Sequence, residues 1–395
     1  MLVYGIISIS KGESEMDKFE RIRKEQFPAA DKFVFMDTST TGLFSTRARD
    51  AMVDHIEKRY ENGMDMDDYM EGWEMAEEMR GTVAEMIGAS SEEIFFSGSG
   101  SDMLNVFSNG IELPSNANVV TSGLSFPSTP YNWINRVGRE NVRVVDHENG
   151  CLPAEKLFEA CDENTAVIAL CAVENTSGWR HDLKMISEFC QKKGIYLVLD
   201  TTQCIGAMKI DVSETPVDYL IATTYKWISG LFGISFAYIS KRVIDKVRPT
   251  AIGWTGAKDK FDSAGYNLEF SGNANKFETG GLCWIGLKSI RESIGIYLEL
   301  GRDDVEARIL ELTDYLYERV AETDGLGIWG PFPEKNRSCI TVVTFPEEWA
   351  LTDQMFKDAG IRTHVSYPGK VRIALHYFNN REDIDKLIGF FKEQN

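Results

Sequence analysis

The sequence has no C-x-x-C pair, no basic stripe, no internal repeat, no low-complexity tract and no apolar run long enough to cross a bilayer. Each absence closes a class of function. The seven cysteines, Cys151, Cys161, Cys171, Cys190, Cys204, Cys283 and Cys339, are odd in number and widely spread, with no histidine at metal-ligand spacing. Neither a metal centre nor a disulfide framework is therefore expected, and a reducing, cytoplasmic setting fits best. A formal net charge of -19 repels phosphate backbones and anionic membrane surfaces, which argues against nucleic acid and membranes as partners. An anionic small molecule stays possible, because a few aimed N–H groups and one cation outweigh a diffuse field at short range. The apolar opening, Met1 to Ile9, is too short to span a membrane and precedes Lys11 instead of following a basic region, unlike a signal peptide. Met16, directly before the polar helical pattern of Asp17 to Gln26, offers an alternative start, which would make residues 1–15 an appendage.

What is present is an ordinary globular composition, 43% hydrophobic and 26% charged, in a chain of 395 residues. That length is too great for one core of usual size and predicts a large domain with a smaller companion. Seven apolar runs of strand length, Ile94–Phe96, Asn118–Thr121, Val142–Val145, Ala166–Val173, Ile195–Leu199, Tyr219–Ala222 and Ile234–Ile239, alternate with helical patterns such as Tyr69 to Ile87. The alternation predicts an α/β fold whose mainly parallel, seven-stranded sheet is sandwiched by helices. From Trp284 to Val320 the pattern is helical and nearly unbroken except for Gly286, Gly295 and Gly301, and strand-like runs, Cys339–Phe345 and Val371–Leu375, and a last helix, Glu382–Glu393, follow. This change of texture divides the chain into an N-terminal segment and helix (1–30), a large domain (31–283) and a smaller α+β C-terminal domain (284–395).

In an open α/β sheet, ligands sit beyond the carboxyl ends of the strands. After Phe96 comes Ser97-Gly98-Ser99-Gly100-Ser101-Asp102, a small-residue turn whose free N–H groups at a helix start suit a phosphate, or which merely begins a helix. After Leu199 comes Asp200, with Gln203 three positions on; a carboxylate there suits a pyridinium nitrogen, or caps a helix. After Ala222 comes Thr223-Thr224-Tyr225-Lys226-Trp227, which sets a lysine among apolar and hydroxyl neighbours that would free its amine as a nucleophile, the plain alternative being a solvated loop lysine. Three such segments after three separate strands are harder to assign to chance than any one of them.

Asp200-x-x-Gln203 followed by Tyr225-Lys226-Trp227 resembles class V of the pyridoxal-phosphate (PLP) dependent aminotransferases, of fold type I, a family that also holds cysteine desulfurases, kynureninases and isopenicillin N epimerase-like proteins. The likeness runs from about Phe33 to the C-terminal helix. It implies that PLP is held as a Schiff base by Lys226, that Asp200 pairs with the pyridine nitrogen, and that Gln203 and Asn175 hydrogen-bond the ring hydroxyl. Gly100, Ser101, Thr223 and Tyr225 would hold the phosphate. Ser125-Phe126-Pro127-Ser128 is similar to the family variant in which a phenylalanine stacks on the ring, so Phe126 takes that part unless it is a core residue. Val371-Arg372-Ile373-Ala374-Leu375, with Tyr377, Asn379 and Asp383 beyond it, is similar to the segment that offers an arginine to the substrate carboxylate. Arg372, whose planar fork suits a carboxylate, is thus the expected clamp, a surface ion pair being the alternative.

There are departures. Many relatives carry a glycine-threonine pair that reaches the partner subunit's cofactor, where this chain reads Phe277-Glu278-Thr279-Gly280-Gly281; Gly281 can still offer an N–H, and a homodimer stays expected. Persulfide-forming desulfurases carry a cysteine shortly before the arginine, and Gly360 to Val371 has none, which disfavours that chemistry. Cys339 reads as a small buried hydrophobe. The resemblance implies an enzyme acting at Cα of a small amino acid, with transamination and a keto-acid co-substrate as the default. A carbon–sulfur β-lyase and an amino-acid epimerase are the alternatives, and a non-catalytic binding module on the same fold is the reading from another class. His364, Tyr367 and His376, near Arg372 in sequence, could tune the outcome but suit surface or core roles better.

Overall fold

The computed structural model describes residues 16–262, 266 and 268–394; the apolar opening from Met1 to Ile9 lies outside them. After a two-residue strand, β1 (Val34–Phe35), each of the seven apolar runs forms a strand: β2 (Ile94–Ser97), β3 (Asn118–Ser122), β4 (Val142–Val145), β5 (Thr165–Cys171), β6 (Tyr196–Asp200), β7 (Tyr219–Thr223) and β8 (Ser235–Ile239). They build one sheet in the order β2-β8-β7-β6-β5-β3-β4, in which β8 alone runs antiparallel to its neighbours.

Burial on both faces explains why the runs are apolar throughout. Leu197, Leu199, Leu220 and Ala222 pack with Met79, Val83, Ile186 and Cys190 on one face. Val198, Tyr219 and Ile221, pointing the other way, pack with Leu104, Phe107 and Trp133. A fully buried aliphatic side chain in such a layer contributes roughly 1.5–3 kcal/mol. The connection from β7 to β8, residues 224–234, is too short for a crossover helix, so the chain turns back antiparallel. Lys226 rides on that return. A buried ion pair, Arg80 Nη1 to Glu278 Oε1 at 2.7 Å and Nη2 to Oε2 at 3.1 Å, fastens the helix Met66–Ile87 to the segment before Gly281. Glu278 Oε1 also accepts the Phe96 N–H at 2.9 Å, so the same carboxylate holds β2.

The nearly unbroken helix expected from Trp284 to Val320 is in fact two, Trp284–Leu300 and Arg302–Ala321. Gly301, at φ +89°, turns the chain between them in a conformation that L side chains rarely adopt. Beyond lie β9 (Gly327–Ile328), β10 (Ile340–Thr344), β11 (Ile361–Arg362), β12 (His364–Tyr367) and β13 (Lys370–Ala374). Four of them form an antiparallel sheet, β12-β13-β10-β9, while β11 pairs in parallel with β1. Val34 and Met36, numbered with the large domain in the sequence reading, accordingly join the core of Val343, Phe356, Val371 and Ile373. Asp383 in the last helix, Arg381–Lys392, pairs with Arg23 of the first helix at 2.8 Å, both buried. Among the described residues no helix is long and apolar enough to cross a membrane, and no group of three or more His, Cys, Asp and Glu side chains is placed to hold a metal ion.

Candidate active site

The carboxyl ends of β2, β5, β6 and β7 and the start of β8 open on one cleft of about 300 Å³. Gly100, Ser101, Phe126, Asp200, Gln203, Thr223, Tyr225 and Lys226 all line it. Register brings this about: Cys171 lies opposite Asp200, and Thr223 and Ser97 both pair with Ser235.

Lys226 is buried, with Nζ 5.7 Å from the centre of the Phe126 ring. Burial pushes its ammonium down to about 8, partly countered by the Asp200 charge and reinforced by that of Arg372. The apoprotein should thus combine with an aldehyde faster as pH rises through about 8, since the neutral amine is the nucleophile; a rate that stays flat between about pH 7 and about pH 9 would contradict this. Its loop is closed from the far side by the N-terminal segment. The Gly42 N–H donates to Tyr225 O at 2.8 Å, and a Cβ on Gly42 would lie 2.2 Å from Lys226 O, so no larger residue fits there.

Asp200 is buried, and burial pushes its carboxyl up, against the pull of the Thr202 hydrogen bonds and of Lys226. Its Oδ1 accepts the Thr202 N–H at 2.9 Å. Gln203 is held from two sides: Oε1 accepts the Trp227 indole N–H at 3.1 Å, and Nε2 donates to Ser39 O at 3.1 Å. The turn before the helix Gly100–Gly110 is capped by Ser99, whose Oγ accepts the Asp102 N–H at 3.1 Å. The first N–H groups of a helix have no partner within it, and Gly100 and Ser101 at this start line the cleft. A Cβ on Gly100 would meet Thr223 Cγ2 at 2.8 Å, so glycine is required for β7 to approach this turn. Ser101 Oγ lies 2.9 Å from Ser128 Oγ, and the Tyr225 ring stacks on Phe232 with centroids 4.0 Å apart.

Arg372 and Asn175 meet at the flank. Arg372 Nη1 donates to Asn175 O at 3.4 Å and Nη2 to Thr40 Oγ1 at 2.9 Å, and Asp37 Oδ1 lies 3.5 Å away. Burial pushes the guanidinium down, against the Asp37 charge. Arg372 Nε and Asn175 Oδ1 are both buried without a hydrogen-bond partner. Gly281 does not join the cleft; it lines a neighbouring hollow that shares Gly98 and Gly233 with it. His376 is buried, pushed down to about 4, with Nε2 3.0 Å from Trp227 O, and so braces the lysine loop from the core. Cys339 is buried as expected, its thiol donating to Gln203 O at 3.2 Å.

Three contributors escaped the sequence reading. Asp37 and Thr40 follow β1 and hold Arg372, and the only local signal was a polar turn after a short apolar run. Cys171 lines the cleft but was read as one more residue of an apolar strand.

A model of the aminotransferase class-V family matches residues 34–387. The chain belongs to that family. Members are PLP enzymes of fold type I, in agreement with the sheet order and with a cleft that offers an amine, a buried carboxylate and a helix start. Among class-V relatives, the chain is 26% identical over 304 residues to an uncharacterized aminotransferase, YcbU, of Bacillus subtilis, covering 75% of this chain and 80% of that protein. It is 26% identical over 329 residues to a probable cysteine desulfurase of Methanothermobacter thermautotrophicus, covering 79% and 81%. Of solved structures, the apo cysteine desulfurase of Thermococcus onnurineus superposes with a TM-score of 0.82 at 20% identity, covering 96% of this chain and 99% of that one. Desulfurases thus stand among the class-V relatives, and the comparisons lend no support to setting that reaction aside.

Proposed function

We propose that this chain is a PLP-dependent enzyme that acts at Cα of a small amino acid and transfers its amino group to a keto acid, working as a homodimer. The observation that carries the reading is the lysine amine and the buried carboxylate, from adjacent strand ends, opening on one cleft with an aromatic ring 5.7 Å from the amine. The bound cofactor would supply an aldehyde that condenses with amines and a ring that accepts the electron pair released at Cα. Lys226 holds that aldehyde at rest. Once displaced, its amine would be the base that moves the Cα proton. Asp200 would keep a proton on the ring nitrogen, since burial pushes its carboxyl up and a cationic partner would stabilise the carboxylate. Gly100 and Ser101, with Thr223 and Tyr225, would hold the phosphate, Phe126 would cover the ring, and Gln203 with Asn175 would hydrogen-bond the ring hydroxyl.

Transamination needs one base working on one face, and Lys226, at about 8, is the amine that the cleft supplies for it. Epimerisation needs a second proton donor across Cα. Cys171 is the cysteine lining the cleft among the described residues, and burial pushes its thiol well above the usual range, which suits a packing role better than a persulfide carrier. Incubating the holoenzyme with a panel of amino acids tests the reading by its products. Keto acid with aminated cofactor supports it, whereas pyruvate with a released sulfur species, a D-amino acid, or no spectral response to any amino acid would contradict it.

Arg372 fixes the substrate carboxylate through its free Nε and fork. Arg372→Leu should lower kcat/KM for amino acids about 100-fold, as expected for losing a charge-assisted pair of about 3 kcal/mol, chiefly through KM. An amine lacking the carboxylate should be used equally by both forms. A parallel loss on that amine would show that Arg372 does something else.

A further inference from the structure

Two titratable groups that the proposed chemistry leaves unused are sealed behind the cleft wall. Glu174 is 0% exposed and His181 3%. The segment from Ala172 to His181 folds back on itself, the His181 N–H donating to Ala172 O and the Glu174 N–H to Trp179 O. This sets His181 Nε2 2.9 Å from Glu174 Oε1. The same carboxylate oxygen accepts the Ser125 hydroxyl at 3.2 Å, and Ser125 Oγ in turn accepts the Cys171 N–H at 3.3 Å.

Sequence adjacency gives these contacts their meaning. Glu174 directly precedes Asn175, and Ser125 directly precedes Phe126. One carboxylate oxygen therefore ties together the two backbone segments that bring Asn175 and Phe126 to the cofactor. Phe126 is 46% exposed, and its backbone N–H has the soft acceptor Cys171 Sγ at 3.4 Å, so a tie at the preceding residue adds to what holds it. Burying a carboxylate and an imidazole where apolar residues could pack is costly, and a polar device in such a place is best explained by the geometry it imposes.

We propose that Glu174 and His181 form a positioning pair which, through the Ser125 hydroxyl, sets the Phe126 ring over the cofactor and fixes Asn175 beside it. The inference rests on the proposed roles of Phe126 and Asn175. His181 orients the carboxylate, Glu174 holds Ser125, and Ser125 fixes the backbone entering Phe126.

Equilibrium dialysis of the full chain against pyridoxal 5'-phosphate, followed by the cofactor's absorption, tests it without reliance on turnover. Ser125→Ala should weaken cofactor binding about tenfold, the value of one hydrogen bond to a charged group. In a Phe126→Ala background the same change should cost nothing further, because the tie acts through the ring. Glu174→Gln, which keeps an acceptor for Ser125, should bind near normally where Glu174→Ala does not. Phe126→Ala that weakens binding beside Ser125→Ala that does not would overturn the positioning pair, as would a Glu174→Gln as impaired as Glu174→Ala. Normal binding by Phe126→Ala would instead overturn the ring's proposed role, and the inference with it.

Discussion

Asp200→Ala should retain its cofactor and lose three to four orders of magnitude in turnover, about 4–5 kcal/mol of transition-state stabilisation. On the proposed mechanism the loss is large because the residue would act on the electron pair released at Cα, while several other groups would share the work of holding the cofactor. With the carboxylate gone, nothing on β6 would be left to hold a proton on the ring nitrogen of a bound cofactor, and the released pair would have a poorer place to go. Asp200→Asn should fall almost as far, since it keeps the shape and loses the charge. The check is single-turnover kinetics on protein whose cofactor content has been measured. Turnover within a factor of a few of the parent, at full occupancy, would refute the electron-sink role.

Lys226→Ala should lose at least as much, about 10⁴-fold, because on the proposed mechanism two functions reside in one amine, holding the aldehyde and moving the Cα proton. Phosphate and ring contacts remain, so the variant should still bind the cofactor, but without a covalent link and without the visible band of a protonated Schiff base. Rate and spectrum should fail together. A variant that lost the band yet turned over at the parent rate would place the proton transfer elsewhere.

The part of this site that local pattern reveals is the part carried by strand ends. β5, β6 and β7 are apolar because both their faces are covered, so polar residues just after them, Asp200 and Lys226, stand out against the run. What escaped depends on contacts between residues remote in sequence. Nothing near Asp37 or Thr40 announces that they will hold Arg372, since that meeting needs β1 to pair with β11 first. Glu174 and His181 flank a loop whose fold-back decides their contact, and seven residues of spacing say nothing about it. Cys171 failed to stand out for the opposite reason, being small and apolar enough to pass for one more strand residue. The helical stretch after Trp284 carries three glycines, Gly286, Gly295 and Gly301, and the backbone conformation shows that the last of them is where the helix breaks.

The central claim is that one amine, on the return from β7 to β8, carries the cofactor. Incubating the purified chain with pyridoxal 5'-phosphate, reducing it with borohydride and mapping the modified peptide by mass spectrometry tests this most directly. A single modified lysine at Lys226 is the expected result. Modification at another lysine, or none at all, would contradict it.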